Sequence, residues 1–270
     1  MGFTLRESTG AVWSQAGRPA QADPRADSTI DRGGVWRAPR VRYEVANSGW
    51  RVAGRWAPGD TAEVLLRLGR LDQATGSCHG GTLAQGATFG SASVSWTHDP
   101  TDPVPWLITS AWGQCADLPD ETVLPDRADV ATFTSETQEA SVETVGHIQA
   151  ELQVEATTGT THVIARLLDV YPSGRTRLIV EGAEVAHTRS CQVRAVVDMG
   201  DTAYLLRAGH SLRLAVSTSC FPLCAVHPGT DDDLWSPGAT APVRQTLHSD
   251  RDRPSLLRIS VRGGRLGQGS

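Results

Sequence analysis

The chain has 270 residues, 39% of them hydrophobic, with 27 Gly, 15 Pro and a formal net charge of -5. That is enough apolar material for a sizeable core. The mildly acidic balance excludes nucleic acid, or an anionic membrane, as a partner held by overall charge. The basic residues are all Arg, and no run of about 18 apolar residues exists, so no helical membrane span is expected.

Residues 1–38 read as a poorly ordered tail. The stretch SQAGRPAQADPRADSTIDRGG is small, polar and charged, with little that could build a core. The start, MGFTLRESTGAVWSQAG, lacks a basic segment followed by an apolar one, so no secretory signal is read and a cytoplasmic product is expected. From Pro39 onward the pattern is that of strands. VRYEV (41–45), EVLLRL (63–68), ASVSW (92–96) and DVATF (129–133) come first. HIQAELQVEA (147–156), THVIARLLDV (161–170), CQVRAVVDM (191–199), HSLRLAVSTS (210–219) and SLLRISV (255–261) follow.

Several of these alternate. Ile148, Ala150, Leu152 and Val154 share one face, while His147, Gln149, Glu151 and Gln153 share the other. Leu212, Leu214 and Val216 alternate in the same way with Ser211, Arg213 and Ala215. Period-two alternation predicts strands packed on one face and wet on the other. Turn-rich stretches separate the strands, and no capped helix of three turns is found, so two antiparallel sheets packed as a β-sandwich are expected. Residues 69–90 and 222–242 read as long loops, which are commonly functional or interfacial.

Five cysteines, Cys78, Cys115, Cys191, Cys220 and Cys224, leave at least one unpaired in any scheme. Free thiols are expected, with a Cys220–Cys224 disulfide as the lesser reading. Cys220, Cys224 and His227 offer three ligand types in eight residues, one short of a zinc site. Asp231–Asp233 lacks the alternating spacing of a calcium loop. No metal and no cofactor is therefore expected.

A set of segments resembles one family. ARLLDVYPSGR (165–175), ETVGHIQAELQV (143–154), DTAYLLRAGHSLRLAVSTSCFP (201–222) and HSDRDRPSLLRISV (248–261) are similar, in order and spacing, to the C-terminal domain of X-Pro dipeptidyl-peptidases. RVRYEVANSGWRVAGRWAP (40–58) resembles the entry to that domain, DPTDPVPWL (99–107) one of its loops and PDRADVATFTSE (125–136) one of its strands. The wider family is that of the CocE/NonD, cocaine-esterase-like serine hydrolases. The resemblance implies an all-β jelly-roll (galactose-binding-like) over about residues 39–265.

In relatives this domain follows an α/β-hydrolase domain that carries a Ser-Asp-His triad. Only 38 unmatched residues precede Pro39, and a nucleophile elbow needs G-x-S-x-G. The nearest stretch, Gly209-His210-Ser211-Leu212-Arg213, ends in Arg and falls on the family's AGH turn. No catalytic residue is assigned, and the chain is expected to be inactive alone although its family is one of hydrolases. The expected role is a non-catalytic module supporting the active-site cleft of a catalytic domain. The alternative is a free-standing carbohydrate- or ligand-binding jelly roll. The partner would be an α/β-hydrolase domain or a second copy of the chain.

Asp169, Tyr171, Pro172, Gly174, Gly209 and His210 carry the strongest match and read as structural. Asp169 is expected to accept hydrogen bonds from backbone N–H groups or an Arg such as Arg175. His210 is expected to donate to a carbonyl. By resemblance, Trp106, Leu107 and Trp112 line a cleft or domain interface. The competing reading packs the tryptophans onto the chain's own sandwich. If no hydrolase half is present, Trp106 and Trp112 are expected on or near one exposed apolar patch.

Overall fold

The computed structural model describes residues 29–30, 36–37, 41–76, 80–86, 90–107, 124–189, 191–232, 238–264 and 266. Its strands are β1 (Thr29–Ile30), β2 (Trp36–Arg37), β3 (Val41–Val45), β4 (Gly49–Ala53), β5 (Thr61–Gly69), β6 (Gly81–Gln85), β7 (Ala92–His98) and β8 (Ala131–Thr134). The longer ones follow: β9 (Val142–Ala156), β10 (Thr161–Val170), β11 (Thr176–Ala186), β12 (Val193–Leu206), β13 (Ser211–Ser217), β14 (Val243–Ser249) and β15 (Leu256–Arg262). Short 3-10 turns at Leu71–Gln73 and Leu124–Asp126 are the only helical pieces among the described residues.

Two layers face each other. One runs β11-β10-β13-β8; the other holds β5, β15, β9 and β12, with β14 and β7 extending past the end of β15. Strand β9 is the axis of the second layer. It pairs with β12 along nearly its whole length, and on its other edge with β15 and then β14. Between the layers lie Leu66 and Leu68 of β5, Ile148 and Leu152 of β9, Val163 and Leu167 of β10, and Leu212 and Leu214 of β13. Burial of this contiguous apolar set is the main force holding the sandwich together.

The all-β sandwich agrees with the alternation read from the sequence, with two amendments. The layers are not two separate antiparallel sheets. Strand β6 pairs antiparallel with β5 and parallel with β8, through Gly81↔Phe133 and Thr82↔Thr134, joining both layers into one hydrogen-bonded sheet. Strand β6 lies inside the expected 69–90 loop. Strands β4, β11 and β14 also go beyond the runs picked out by alternation.

At the opposite edge β11 passes close over β12. A Cβ on Gly182 would collide with the carbonyl of Asp198, so only glycine permits this approach. The described residues of the expected tail form the antiparallel contact of β1 with β2.

The second amendment concerns the outer faces. All seven residues of β13 are buried, including Ser211, Arg213 and Ala215, which were expected to face water. Leu168 of β10 and Ala215 pack outward against Val104, Leu124, Leu178 and Val130. Loops thus cover this face, and a strand buried on both sides loses its polar alternation.

Candidate functional site

Strand β10 supplies the two polar clusters that stand out. Its inward residues Val163, Ala165 and Leu167 feed the core. Its outward residues His162, Ile164 and Arg166 lie beneath the segments 104–107 and 219–228. These two segments pair with each other: Trp106 N–H donates to the Phe221 carbonyl at 2.7 Å, and Phe221 N–H donates to that of Val104 at 3.0 Å. The Ser219 hydroxyl accepts from Val104 N–H at 2.8 Å.

Trp106 is not part of an exposed patch. It is 7% exposed, packs on Ile164 and Cys220, and its Nε1–H donates to Glu181 Oε1 at 2.9 Å. Satisfying the indole N–H inside the chain is what makes a buried tryptophan affordable. Leu107 beside it is half-buried, and Trp112 lies outside the described residues. The exposed apolar side chains nearby are instead Phe221 at 51% and Leu223 at 37%.

Beneath Trp106, Arg166 Nε lies 3.6 Å from Glu181 Oε2, with both side chains nearly enclosed. Arg166 Nη2 donates to the Pro105 carbonyl at 3.1 Å and to Cys220 Sγ at 2.7 Å. Burial pushes the Cys220 thiol up to about 12, against the lowering effect of Arg166. Among the described residues the cysteines, Cys191, Cys220 and Cys224, are all free thiols; Cys78 and Cys115 lie outside them.

Three histidines gather at the other end of this face. His98 Nε2 meets the His227 carbonyl at 2.9 Å, and the His162 and His227 rings stand edge-to-face at 5.2 Å. His227 Nδ1 accepts from Gly229 N–H at 3.1 Å, so Nε2 carries the proton and donates to Thr160 Oγ1, also at 3.1 Å. Burial pushes His227 down to about 4, with the neighbouring His162 and His98 adding to it. Burial lowers His98 and His162 as well. Among the described residues no group of three or more His, Cys, Asp or Glu is arranged to hold a metal ion. Cys220, Cys224 and His227 do not converge, because the histidine turns to Thr160 and the buried thiol to Arg166.

The second cluster closes one end of the core. Asp169 is fully buried and accepts from the Tyr204 hydroxyl at 2.7 Å and His210 Nδ1 at 2.8 Å. These donors replace the expected backbone groups and Arg175, and His210 turns to a carboxylate rather than a carbonyl. Tyr171 stacks tilted on His210 at 4.5 Å. The hairpin that holds Tyr171 closes through Tyr171 N–H to the Arg175 carbonyl at 2.9 Å, with Gly174 at φ +86°. Gly209 packs on Pro172, which docks the AGH turn against this hairpin. An Asp–His pair is also the outer half of a hydrolytic triad. The adjacent serine is not its nucleophile, since Ser211 points away and its hydroxyl donates to Thr137.

The strands form the all-β sandwich that the alternation and the resemblance implied, and residues 33–258 match one family over most of the chain. The chain belongs to the X-Pro dipeptidyl-peptidase C-terminal non-catalytic domain family. Cocaine esterase of Rhodococcus sp. (strain MB1 Bresler) is 30% identical over 198 residues, which cover 68% of this chain and 34% of that protein. An aminopeptidase from a marine sediment Thaumarchaeota archaeon superposes with a TM-score of 0.71 at 18% identity, covering 83% of this chain and 40% of the other. An α-amino acid ester hydrolase gives 0.70 at 18% identity, covering 86% and 42%. A CocE/NonD family hydrolase of Staphylococcus aureus gives 0.56 at 13% identity, covering 84% and 42%. The chain therefore spans about a third of the curated relative it matches, and the structural likenesses bear on the fold alone. No helix of the described residues is long and apolar enough to cross a membrane.

Proposed function

We propose that this C-terminal non-catalytic domain acts as the β-sandwich support of a CocE/NonD-type serine hydrolase. In this reading its loop-covered face braces the active-site cleft of an α/β-hydrolase domain. The observation that carries the reading is the turn after β13. It places Phe221 and Leu223 in water, 51% and 37% exposed, beside the Pro105–Leu107 segment. Adjacent large apolar side chains on an otherwise well-covered face are what a domain contact leaves when the partner surface is removed. The polar clusters beneath are closed, so the face offers a partner domain shape and apolar area. Trp106 would serve the contact from below, by fixing the height of the Phe221 strand.

The test is binding in trans. The chain is titrated with the separately expressed hydrolase domain of a CocE/NonD relative, by calorimetry and by ester turnover. Binding that weakens about tenfold or more in a Phe221→Ser, Leu223→Ser double variant is expected, since two anchor side chains carry about that much or more. Wild-type chain that neither binds nor alters turnover would refute the supporting role.

A further inference from the structure

The covered face of β10 contains a buried ion pair that holds the Trp106 indole and the Pro105 carbonyl and also flanks a thiol. The side chains of Arg166 and Glu181 are 2% and 7% exposed. An apolar pair of similar volume would hold a sandwich at least as well as an ion pair taken out of water. What the two charges share is a thiol. Arg166 Nη2 lies 2.7 Å from Cys220 Sγ, and Glu181 Oε2 lies 4.0 Å from the same sulfur. A second thiol is close by. Cys224 N–H donates to the Cys220 carbonyl at 2.9 Å, closing a five-residue turn. The Cys224 side chain packs on the cluster formed by Trp106, Ile164 and Cys220. A closed turn of this length brings two Cα atoms near the roughly 4.4–6.8 Å that a disulfide needs. The two thiols also differ in access: Cys220 is fully buried, and Cys224 is partly exposed.

We propose that Cys220 and Cys224 form an oxidisable dithiol, a site of reversible modification by peroxide. The exposed thiol reacts first. The Cys224 sulfur attacks hydrogen peroxide, the O–O bond breaks, and Cys224 becomes a sulfenic acid with release of one water. Cys220 then gives its proton to the Glu181 carboxylate, and Arg166 holds the thiolate as it forms. The Cys220 sulfur attacks Cys224 Sγ, the S–O bond breaks, and hydroxide leaves as water with the proton from Glu181. The two thiols are oxidised by two electrons, and one peroxide is reduced to two waters. A thiol such as glutathione reverses the change by exchange. Burial raises both thiols, which slows the oxidation. The bond would tie down the turn that presents Phe221 and Leu223.

Trypsin gives a direct readout. Cleavage after Arg213 and Arg244 leaves both cysteines in the single peptide Leu214–Arg244, and the other three elsewhere. The folded full-length chain is treated with hydrogen peroxide, alkylated under denaturing conditions, digested and weighed. The expected peptide is lighter by two hydrogens than the reduced, unalkylated peptide, takes up no alkylating agent, and regains two sites after reduction. Cys220→Ser leaves Cys224 as a sulfenic acid that dimedone labels. Cys224→Ser leaves Cys220 fully alkylatable, at least tenfold less oxidised than in the wild type. The proposal is overturned if the wild-type peptide gains oxygen on Cys224 while Cys220 stays alkylatable, or if the cysteines cross-link only between chains. Near-ultraviolet circular dichroism of each variant confirms that the comparison is between folded proteins.

Discussion

The carboxylate of Asp169 accepts the Nδ1–H of His210 at 2.8 Å across a sequence separation of 41 residues, and its second oxygen takes the Tyr204 hydroxyl. The carboxylate is fully buried, and each donor comes from a different strand or turn. Burial and the hydrogen bond to Asp169 together hold the Tyr204 phenol well above its ordinary range. Asp169→Ala strands two buried donors at once. Each orphaned donor costs about 1–3 kcal/mol, so the loss expected in urea denaturation is about 3–5 kcal/mol. Tyr204→Phe removes one bond and should cost about 1–2 kcal/mol. A double-mutant cycle with His210→Ala should return a coupling above about 0.5 kcal/mol; strict additivity would show the three side chains do not act as one network.

Acid should loosen the loop-covered face. His227 has a folded pKa near 4 against an ordinary value of 6.5. Between those values the unfolded chain binds the extra proton and the folded one does not. Stability is therefore complete above about pH 6.5 and falls as the pH drops toward 4. Protonating Nδ1 would also break its bond from Gly229 N–H, while Asp231 nearby softens the effect only in part. A loss on the order of 2–3 kcal/mol is expected from His227 over that window, with His98 and His162 adding in the same direction. His227→Asn should flatten the pH dependence of the urea midpoint between 4 and 6.5; an unchanged slope would place the acid sensitivity elsewhere.

The outer face of the second layer carries a row of charges. Glu151 on β9 accepts from Arg194 Nε of β12 at 3.0 Å and from Arg258 Nη2 of β15 at 2.9 Å, and Arg258 also reaches Glu63 of β5. Burial alone would raise the Glu151 carboxyl, but hydrogen bonds from Arg258 and Arg194 hold it below the usual carboxylate range. Glu151→Gln should cost about 1 kcal/mol at low ionic strength and less in about 1 M salt, since exposed partners are screened. A cost independent of salt would mean packing, not charge, decides the position.

Gly182→Ala should destabilise by about 2 kcal/mol or more, because the methyl group meets the Asp198 carbonyl and the crossing of β11 over β12 has to open. Gly174→Ala, where no atom stands within 4 Å of the added carbon, carries only the strain of φ +86° and should cost about 1 kcal/mol. Equal losses at both sites would show that backbone strain outweighs the collision.

Alternation made β9, β13 and β15 legible, because these strands carry most of their apolar residues at every second position, whereas β10 was read from a β-branched and aliphatic run that is apolar on both faces. Strand β6, GTLAQ, was not legible, since its opening glycine and threonine look like loop chemistry until Phe133 of β8 is seen beside them. The outward burial of Arg213 and Ala215 depends on loops distant in sequence, which no local pattern reports. Asp169 and His210 stood out as residues, but their bond joins strand β10 to the turn before β13, and Tyr204 was readable only as part of the matched segment 201–222. The gathering of His98, His162 and His227 left no trace, because each sits in a separate segment and only the fold brings them together.

Strand β5, at residues 61–69, pairs with β6 and with β15, at residues 256–262, whose other edge pairs with β9. During synthesis the ribosome releases β5 almost two hundred residues before its partner. Until β15 emerges, β5 and β9 keep open edges able to recruit a strand from any neighbouring chain. The second layer is therefore completed only when β15 emerges, and open edges before then expose the nascent chain to mispairing. Removing residues 256–262 takes a central strand from the second layer, whereas among the described residues β1 and β2 pair only with each other.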